Sequence, residues 1–320
     1  MVLGLGPRVV VALGGNAITA PGEEGTVAQD YENLYRSLAG IVTLLERGHQ
    51  VILTHGNGPQ VGNQMIRVEM ALGHAPDLPL SVMVADVQGG LGYMMEQVLR
   101  NMLHRRGLSF PVCCLITLVE VDREDPALKE PTKFVGPVLS AEGAARGRDQ
   151  HGWEVAEDTG RGWRRVVPSP EPLAIVEGDV IARLVDSGAL VICAGGGGVP
   201  VVRETDGDLS AVGGVVDKDL ASAVLATGIG ARELYVLTGV AKVALDYGKP
   251  SETLLDRMTV SQARSYLRQG QFPRGSMGPK VDAACRFVEQ GGERALITDI
   301  YSLLPALDGE TGTWVLPDPP

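Results

Sequence analysis

The chain has 320 residues, is 44% apolar and carries a formal net charge of −11. Those numbers suit one large or two small globular domains, and the negative balance argues against nucleic acid or an anionic membrane as main partner, because both demand a basic face. No apolar run reaches the ~20 residues of a membrane-spanning helix, no signal-peptide pattern opens the chain, and Cys113, Cys114, Cys193 and Cys285 lack CxxC spacing, so a cytoplasmic protein is expected.

In chain order, residues 9–13 are an apolar run before Gly14-Gly15 and predict a buried strand ending in a tight turn. Residues 31–47 set Leu34, Leu38, Ile41, Leu44 and Leu45 at helical spacing, with Gly48 as the stop. Residues 51–54 predict a second strand, running into "HGNGPQ". Strand–helix–strand with glycine-rich loops after both strands predicts a parallel α/β sheet whose loops gather at the strands' carboxyl ends. A helix over 84–106 and a strand over 112–119 follow. Residues 122–172 then break the rhythm, being polar and rich in Gly, Pro and Arg. A loop of that length inside a compact domain is unusual, and it reads as an inserted, hairpin-like flap. The rhythm returns with a helix over 175–186, a strand over 190–194 ending in "GGGG", a helix over 217–226 and a strand over 233–238. Helices over 260–268 and 281–289, a strand over 295–298 and a final edge strand in "GTWVL" complete the chain. The expected organisation is a body of 1–121 and 173–320 in two lobes, with 122–172 inserted.

Three glycine turns at strand ends carry the first chemical signal: Gly14, Gly15 and Asn16; Gly56, Asn57 and Gly58; and the run containing Gly196 and Gly197. Such turns let backbone N–H groups approach an anion. His55 reads as a strand-end histidine bonded to backbone, because no nucleophile or metal-ligand partner accompanies it. The first turn has no lysine or arginine beside it, and no GxxxxGK[ST] occurs anywhere. Positive charge must come from elsewhere. Only six of the 28 basic residues are lysines, and three of them lie in suggestive places. Lys133 is in "EPTKFVGP" within the flap, Lys218 lies between Asp217 and Asp219, and Lys280 is in "GSMGPK" at a helix start.

The segments "VVVALGGNA", "THGNGPQVG", "PTKFVGP", "EDTGRGWRRVVPSPEP", "CAGGGGVPVV", "VVDKDLASAVLA" and "FPRGSMGPKVDAA" resemble, in order and over nearly the whole chain, the carbamate kinases of the amino acid kinase family. The resemblance implies a three-layer α/β/α sandwich with a mainly parallel central sheet and a small mobile subdomain. It implies reversible phosphoryl transfer between ATP and carbamate, giving ADP and carbamoyl phosphate, used to make ATP in arginine catabolism. Mg²⁺ held through the nucleotide phosphates and a homodimer are implied too. Many related kinases place a lysine where Ala12 stands; carbamate kinases resemble this chain in lacking it.

By the same likeness Lys133 supplies charge from the flap, Lys280 meets the nucleotide phosphates, Lys218 assists, and Asp219 orients the lysines. Gly14, Gly15, Asn16, Gly56, Asn57, Gly58, Gly196 and Gly197 line the acceptor side. Thr238, Gly239, Val240, Tyr247, Gly275, Ser276, Met277 and Gly278 join Lys218 and Lys280 around the nucleotide. The segment "LTGVAKVALDYGKP" departs from the family, with Ala241 at an often acidic position and Ala244 at an often aromatic one. That leaves base preference open. A kinase acting on glutamate or acetylglutamate and a non-catalytic nucleotide sensor are the alternatives. A dehydrogenase is a poor third, lacking a GxGxxG at a helix start.

Overall fold

The computed structural model describes residues 6–20, 22–158, 162–273 and 275–319, with Asn16 described by its backbone alone. β1 (Arg8–Leu13) is buried along all but its first residue, as a central parallel strand covered on both faces must be. A 3-10 turn at Gly15–Ala17 leads to α1 (Val27–Ser37), opened by a capping box between Thr26 and Gln29. The single helix expected over 31–47 is in fact two. Leu38, at φ −88° and ψ −3°, separates α1 from α2 (Ala39–Glu46).

β2 (Gln50–His55) runs into α3 (Gly58–Ala71), a helix that "GNGPQVG" disguises as loop; its Pro59 sits in the first turn, where a missing N–H costs nothing. α4 (Leu80–Arg105) follows. The strand expected over 112–119 divides into β3 (Val112–Cys114) and β4 (Leu118–Val121), which belong to different sheets. Between them Thr117 turns aside, its N–H held by the Gln88 amide oxygen.

The segment expected to be an inserted flap contains β5 (Lys133–Leu139), α5 (Ala141–His151), β6 (Val155–Asp158) and β7 (Gly162–Val167). Its strands form an antiparallel sheet in the order β5-β7-β6. α5 was not anticipated; the Ser140 hydroxyl caps it and Gly152, at φ 64°, ends it. β8 (Pro172–Ile175) then pairs with β4, so the helix expected from residue 175 begins later, as α6 (Gly178–Asp186).

β9 (Leu190–Ile192), β10 (Val199–Arg203), β11 (Leu209–Ala211), α7 (Lys218–Gly228) and β12 (Glu233–Thr238) come next. The hairpin of β13 (Val243–Leu245) and β14 (Thr253–Leu255) precedes β15 (Arg257–Thr259) and α8 (Val260–Arg268). The chain closes with α9 (Met277–Glu289), β16 (Arg294–Asp299), α10 (Leu303–Leu307) and β17 (Thr313–Leu316). β17 is not an edge strand: it lies between β15 and β16.

The large sheet has the order β15-β17-β16-β12-β1-β2-β9-β3, and β16 through β3 are parallel throughout. Alternate residues of β1 face opposite layers. Val9, Val11 and Leu13 join the core under α1, α2 and α4, while Val10 joins the core under α6, α7 and α9. The molecule is therefore an α/β/α sandwich. From β1 the chain moves to β2 on one side and later returns to β12 on the other. This reversal opens a crevice at the carboxyl ends of β1, β2 and β12, the usual binding place in such folds. The smaller sheet β11-β10-β4-β8 stands beside it.

Candidate active site

The N-terminus of α7 organises the crevice. Asp217 is its N-cap, and Oδ1 accepts from the N–H groups of Asp219 at 2.9 Å and Leu220 at 3.4 Å. Lys218, the first helical residue, is buried and pairs through Nζ with Asp219 Oδ1. The same ammonium lies 3.4 Å from the carbonyl of Ala12 in β1. Lys280 comes from the first turn of α9, because that helix starts at Met277 rather than at residue 281. Its Nζ reaches Asp219 Oδ2 at 2.8 Å. Lys133, at the start of β5, brings the flap's ammonium to Asp217 Oδ2.

Three lysines from three segments thus meet two carboxylates one helical turn deep. The cationic charge missing beside Gly14-Gly15 arrives through space, and Lys218 delivers it to the carbonyl of Ala12 itself.

The electrostatics follow from burial and pairing. Burial alone would raise the carboxyl of Asp219; the ammonium of Lys218, then that of Lys280, overcomes this and holds it well below the usual carboxylate range. For Asp217 burial and the neighbouring Asp219 push up, and Lys133 together with Lys280 outweighs them, so the net shift is downward. Burial pulls Lys218 below the ordinary lysine value, with Asp219 offsetting only part. In Lys280 the balance reverses: burial lowers, but Asp219 and then Asp217 lift it above the ordinary value. The carboxylates keep Lys280 charged and hold Lys218 in place.

The glycine turns close on the same spot. A Cβ on Gly14 would stand 2.9 Å from the Leu237 carbonyl, and one on Gly56 would stand 3.1 Å from Gly15 N, so only glycine lets the turns after β1 and β2 pack this tightly. Gly196, at φ 65°, presses on Asn57, whose Nδ2 would be 1.9 Å from an added Cβ. Gly197 lies against the Val216 carbonyl, just ahead of Asp217, and Gly58 faces the Phe134 carbonyl, next to Lys133.

Asn57 is 2% exposed and its Nδ2 has no hydrogen-bond partner, an orphaned donor buried against the turn at Gly196. By contrast, the N–H of Gly56 is spent on Leu13 O at 3.0 Å and that of Gly197 on Ala194 O at 3.0 Å, so these two shape the turns instead of donating. His55 is buried, bonded through Nδ1 to Gly56 O at 3.0 Å, and burial pushes it down to about 4. It holds the strand end, with no exposed nitrogen for proton transfer.

The other sequence-predicted residues are less concentrated. Gly275, Ser276, Met277 and Gly278 form the approach and first turn of α9, alongside Lys280. Thr238 ends β12, and Gly239 and Val240 follow it toward β13. Tyr247 stands 67% exposed in the β13–β14 connection, outside the lysine network. The side chain of Asn16, together with residues 159–161 and 274 of the "EDTGRGWRR" and "FPRGSMGPK" segments, lies outside the described residues. Sequence reasoning missed Asp217 as a member of the cluster. Its signal was present: an Asp directly before a helix start, with free N–H groups two and three residues on, is an N-cap pattern.

A crevice at the switch point of a parallel sheet, lined with glycine turns and three converging lysines, defines a phosphotransferase class. The amino acid kinase family model matches residues 7–299, and the chain belongs to that family. Its relatives there include carbamate kinases and, at 43% and 44% identity, two carbamate kinase-like proteins of Escherichia coli. It is 46% identical to the carbamate kinase of Pyrococcus furiosus over 98% of this chain and 100% of that one. Among solved structures, the carbamate kinase from Giardia lamblia bound to citric acid superposes with a TM-score of 0.93 at 38% identity, covering 98% of this chain and 99% of that one. The same Giardia enzyme bound to AMP-PNP gives 0.89 at 39% identity with the same coverage.

Proposed function

We propose that this chain is a carbamate kinase, transferring a phosphoryl group reversibly between ATP and carbamate and working toward ATP formation from carbamoyl phosphate in arginine catabolism. The observation that carries the reading is the convergence of Lys133, Lys218 and Lys280 on the N-terminus of α7, beside the glycine turns of β1 and β2.

The chemistry asks for little else. Carbamate is already an anion, so its oxygen attacks the γ-phosphorus while the bond to the ADP oxygen breaks, and no proton has to be removed. No general base is required, in keeping with the enclosed His55. The barrier is the approach of two anions and the charge spread over the transferring PO₃ unit. Lys280 faces the nucleotide phosphates, with the α9 N-terminus and Gly275–Gly278 around them. Lys218 lies between nucleotide and acceptor, and Lys133 covers the transferring group from the flap. Asp219 keeps two ammoniums apart and aimed. Gly14, Gly15 and Gly58 admit the acceptor closely, and the free Nδ2 of Asn57 donates to it; Gly56, Gly196 and Gly197 make the room. Thr238, Gly239, Val240 and Tyr247 take the nucleoside side. Movement of the flap, residues 122–172, against the body then excludes water from a labile product.

A kinase that uses ATP takes it with a divalent cation, and here we assign Mg²⁺, carried in as part of the nucleotide complex. Asp217 and Asp219 are both engaged by lysines, and among the described residues no cluster of three or more His, Cys, Asp or Glu side chains is set to hold a metal. In this reading the nucleotide phosphates carry the ion. A homodimer is proposed as well, supported by the exposed apolar Tyr93 and Ile116 in one surface cleft beside α4. Among the described residues no helix is long and apolar enough to cross a membrane. A cytoplasmic setting fits the small water-soluble substrates.

The test is a coupled assay for ATP from ADP and carbamoyl phosphate with Mg²⁺, run beside ADP formation from ATP with carbamate, glutamate or acetylglutamate. Turnover with carbamate or carbamoyl phosphate alone supports the assignment. Turnover with an amino-acid carboxylate instead, or nucleotide binding with no transfer, overturns it.

A further inference from the structure

Capping α7 does not explain why residue 217 is an aspartate. An N-cap needs a side-chain oxygen, which Ser, Thr or Asn supplies as well as Asp. Asp217 spends only Oδ1 on the cap, through the N–H groups of Asp219 and Leu220. Oδ2 is left for the Nζ of Lys133, 84 residues away on the flap. The charge has a cost, because the carboxylate of Asp219 two residues on repels it. A second negative group beside a site for anionic substrates therefore calls for a compensating role.

The geometry points to that role. We propose that Asp217 is a positioning residue for Lys133: a carboxylate locked on a rigid helix end that fixes the flap-borne ammonium over the transferring phosphoryl group. An ammonium has three N–H donors, so one can stay on Asp217 while the others meet phosphoryl oxygens. Without the anchor, Lys133 sits at the end of a flexible stem, and a flexible donor contributes less to a transition state than a preorganised one. Because the cap holds Oδ1, the free oxygen is fixed relative to Asp219 and thus to Lys218 and Lys280. Asp217 so sets one lysine against the other two. The inference rests on the proposed phosphoryl-transfer reaction.

The test uses the full chain with Asp217→Asn, which keeps the cap and removes the charge, and Asp217→Ser as a second cap-preserving variant. Lys133→Met and the Asp217→Asn/Lys133→Met double variant complete a cycle. We expect Asp217→Asn to lower kcat about tenfold or more while the protein keeps a cooperative melt, and Lys133→Met to lower it about a hundredfold. The double variant should be no slower than Lys133→Met alone, because an anchor has no effect once its lysine is gone. Amide exchange in residues 133–139 of the ligand-free protein should speed up in Asp217→Asn. Wild-type or faster turnover in both cap-preserving variants would show Asp217 to be a mere resting place for Lys133 and overturn the proposal. So would losses that multiply in the double variant. A wild-type chain that makes no ATP from carbamoyl phosphate would instead sink the reaction on which the inference rests.

Discussion

Gly62 in α3 and Gly136 in β5 meet backbone to backbone: a Cβ on Gly62 would stand 1.9 Å from the Cα of Gly136. Two turns along the same face of α3, Glu69 accepts from Trp153 Nε1 at 2.8 Å and pairs with Arg165, both in the flap. These contacts seat the flap on the body, and the seat lies three residues from Lys133.

Gly62→Ala should therefore act on the flap and leave the core intact. The added methyl cannot be accommodated by a side-chain shift, because the neighbour is backbone. We expect kcat to fall about tenfold or more, since a displacement of ~1 Å at a positioned group already costs that much. Limited proteolysis should cut faster within residues 122–172, and the cooperative melt of the large sheet should persist. Normal turnover with normal protease resistance would show that the seat is not needed for closure.

Lys280→Ala and Lys133→Ala should each lower kcat about a hundredfold or more, the cost of losing a preorganised transition-state donor. Asp219 keeps Lys218 as partner when Lys280 is removed, so no bare buried carboxylate remains and the protein should still fold. The checks are turnover in the coupled assay and a far-UV spectrum with a cooperative melt. Wild-type-like turnover in Lys280→Ala would defeat the assignment of roles.

His55 gives the molecule a pH-dependent stability unrelated to catalysis. Burial lowers it from the ordinary 6.5 to about 4. The unfolded chain binds this proton between those two values while the folded chain cannot, so stability is full above pH 6.5 and is lost as pH falls toward 4. The loss should be about 3 kcal/mol. His55→Gln removes the titrating group, so urea midpoints of the two proteins should diverge between pH 7.5 and pH 4.5, with wild type the more acid-sensitive. Parallel curves would show that the imidazole can protonate in place.

Gly196→Ala would force an alanine to φ 65° and set its methyl 1.9 Å from Asn57 Nδ2. The strained backbone costs about 1 kcal/mol or more, and the amide must move. The KM for carbamoyl phosphate should rise several-fold or more with the KM for ADP nearly unchanged. A rise confined to ADP would place Asn57 and Gly196 on the nucleotide side instead.

The readable parts of the site were those carried by local chemistry. A strand ending in Gly14-Gly15 or Gly56-Asn57-Gly58 shows in a few residues, because a glycine turn is a local steric requirement. Lys218 and Lys280 could be read as helix-start lysines for a similar reason. α5 was hidden because its polar run, "AEGAARGRDQH", offers almost no apolar stripe to follow. α3 was hidden because Gly58 and Pro59 are loop residues by habit and helix-start residues here. β17 was misplaced at an edge, since a short strand's sequence does not say what pairs on either side.

By itself the amino-acid sequence determined a parallel α/β fold, glycine turns at the strand ends, and a short list of lysines far from those turns along the chain. Tertiary structure alone decided that Lys133, Lys218 and Lys280 share two carboxylates, that Asp217 joins the flap to the body, and that Gly62 seats it. The physical reason is range. Turn and cap preferences act over three or four residues, whereas the pairs Lys133–Asp217 and Lys280–Asp219 close over 84 and 61 residues. Only the packing of α7 and α9 on the sheet, with the flap seated on α3, brings those charges together.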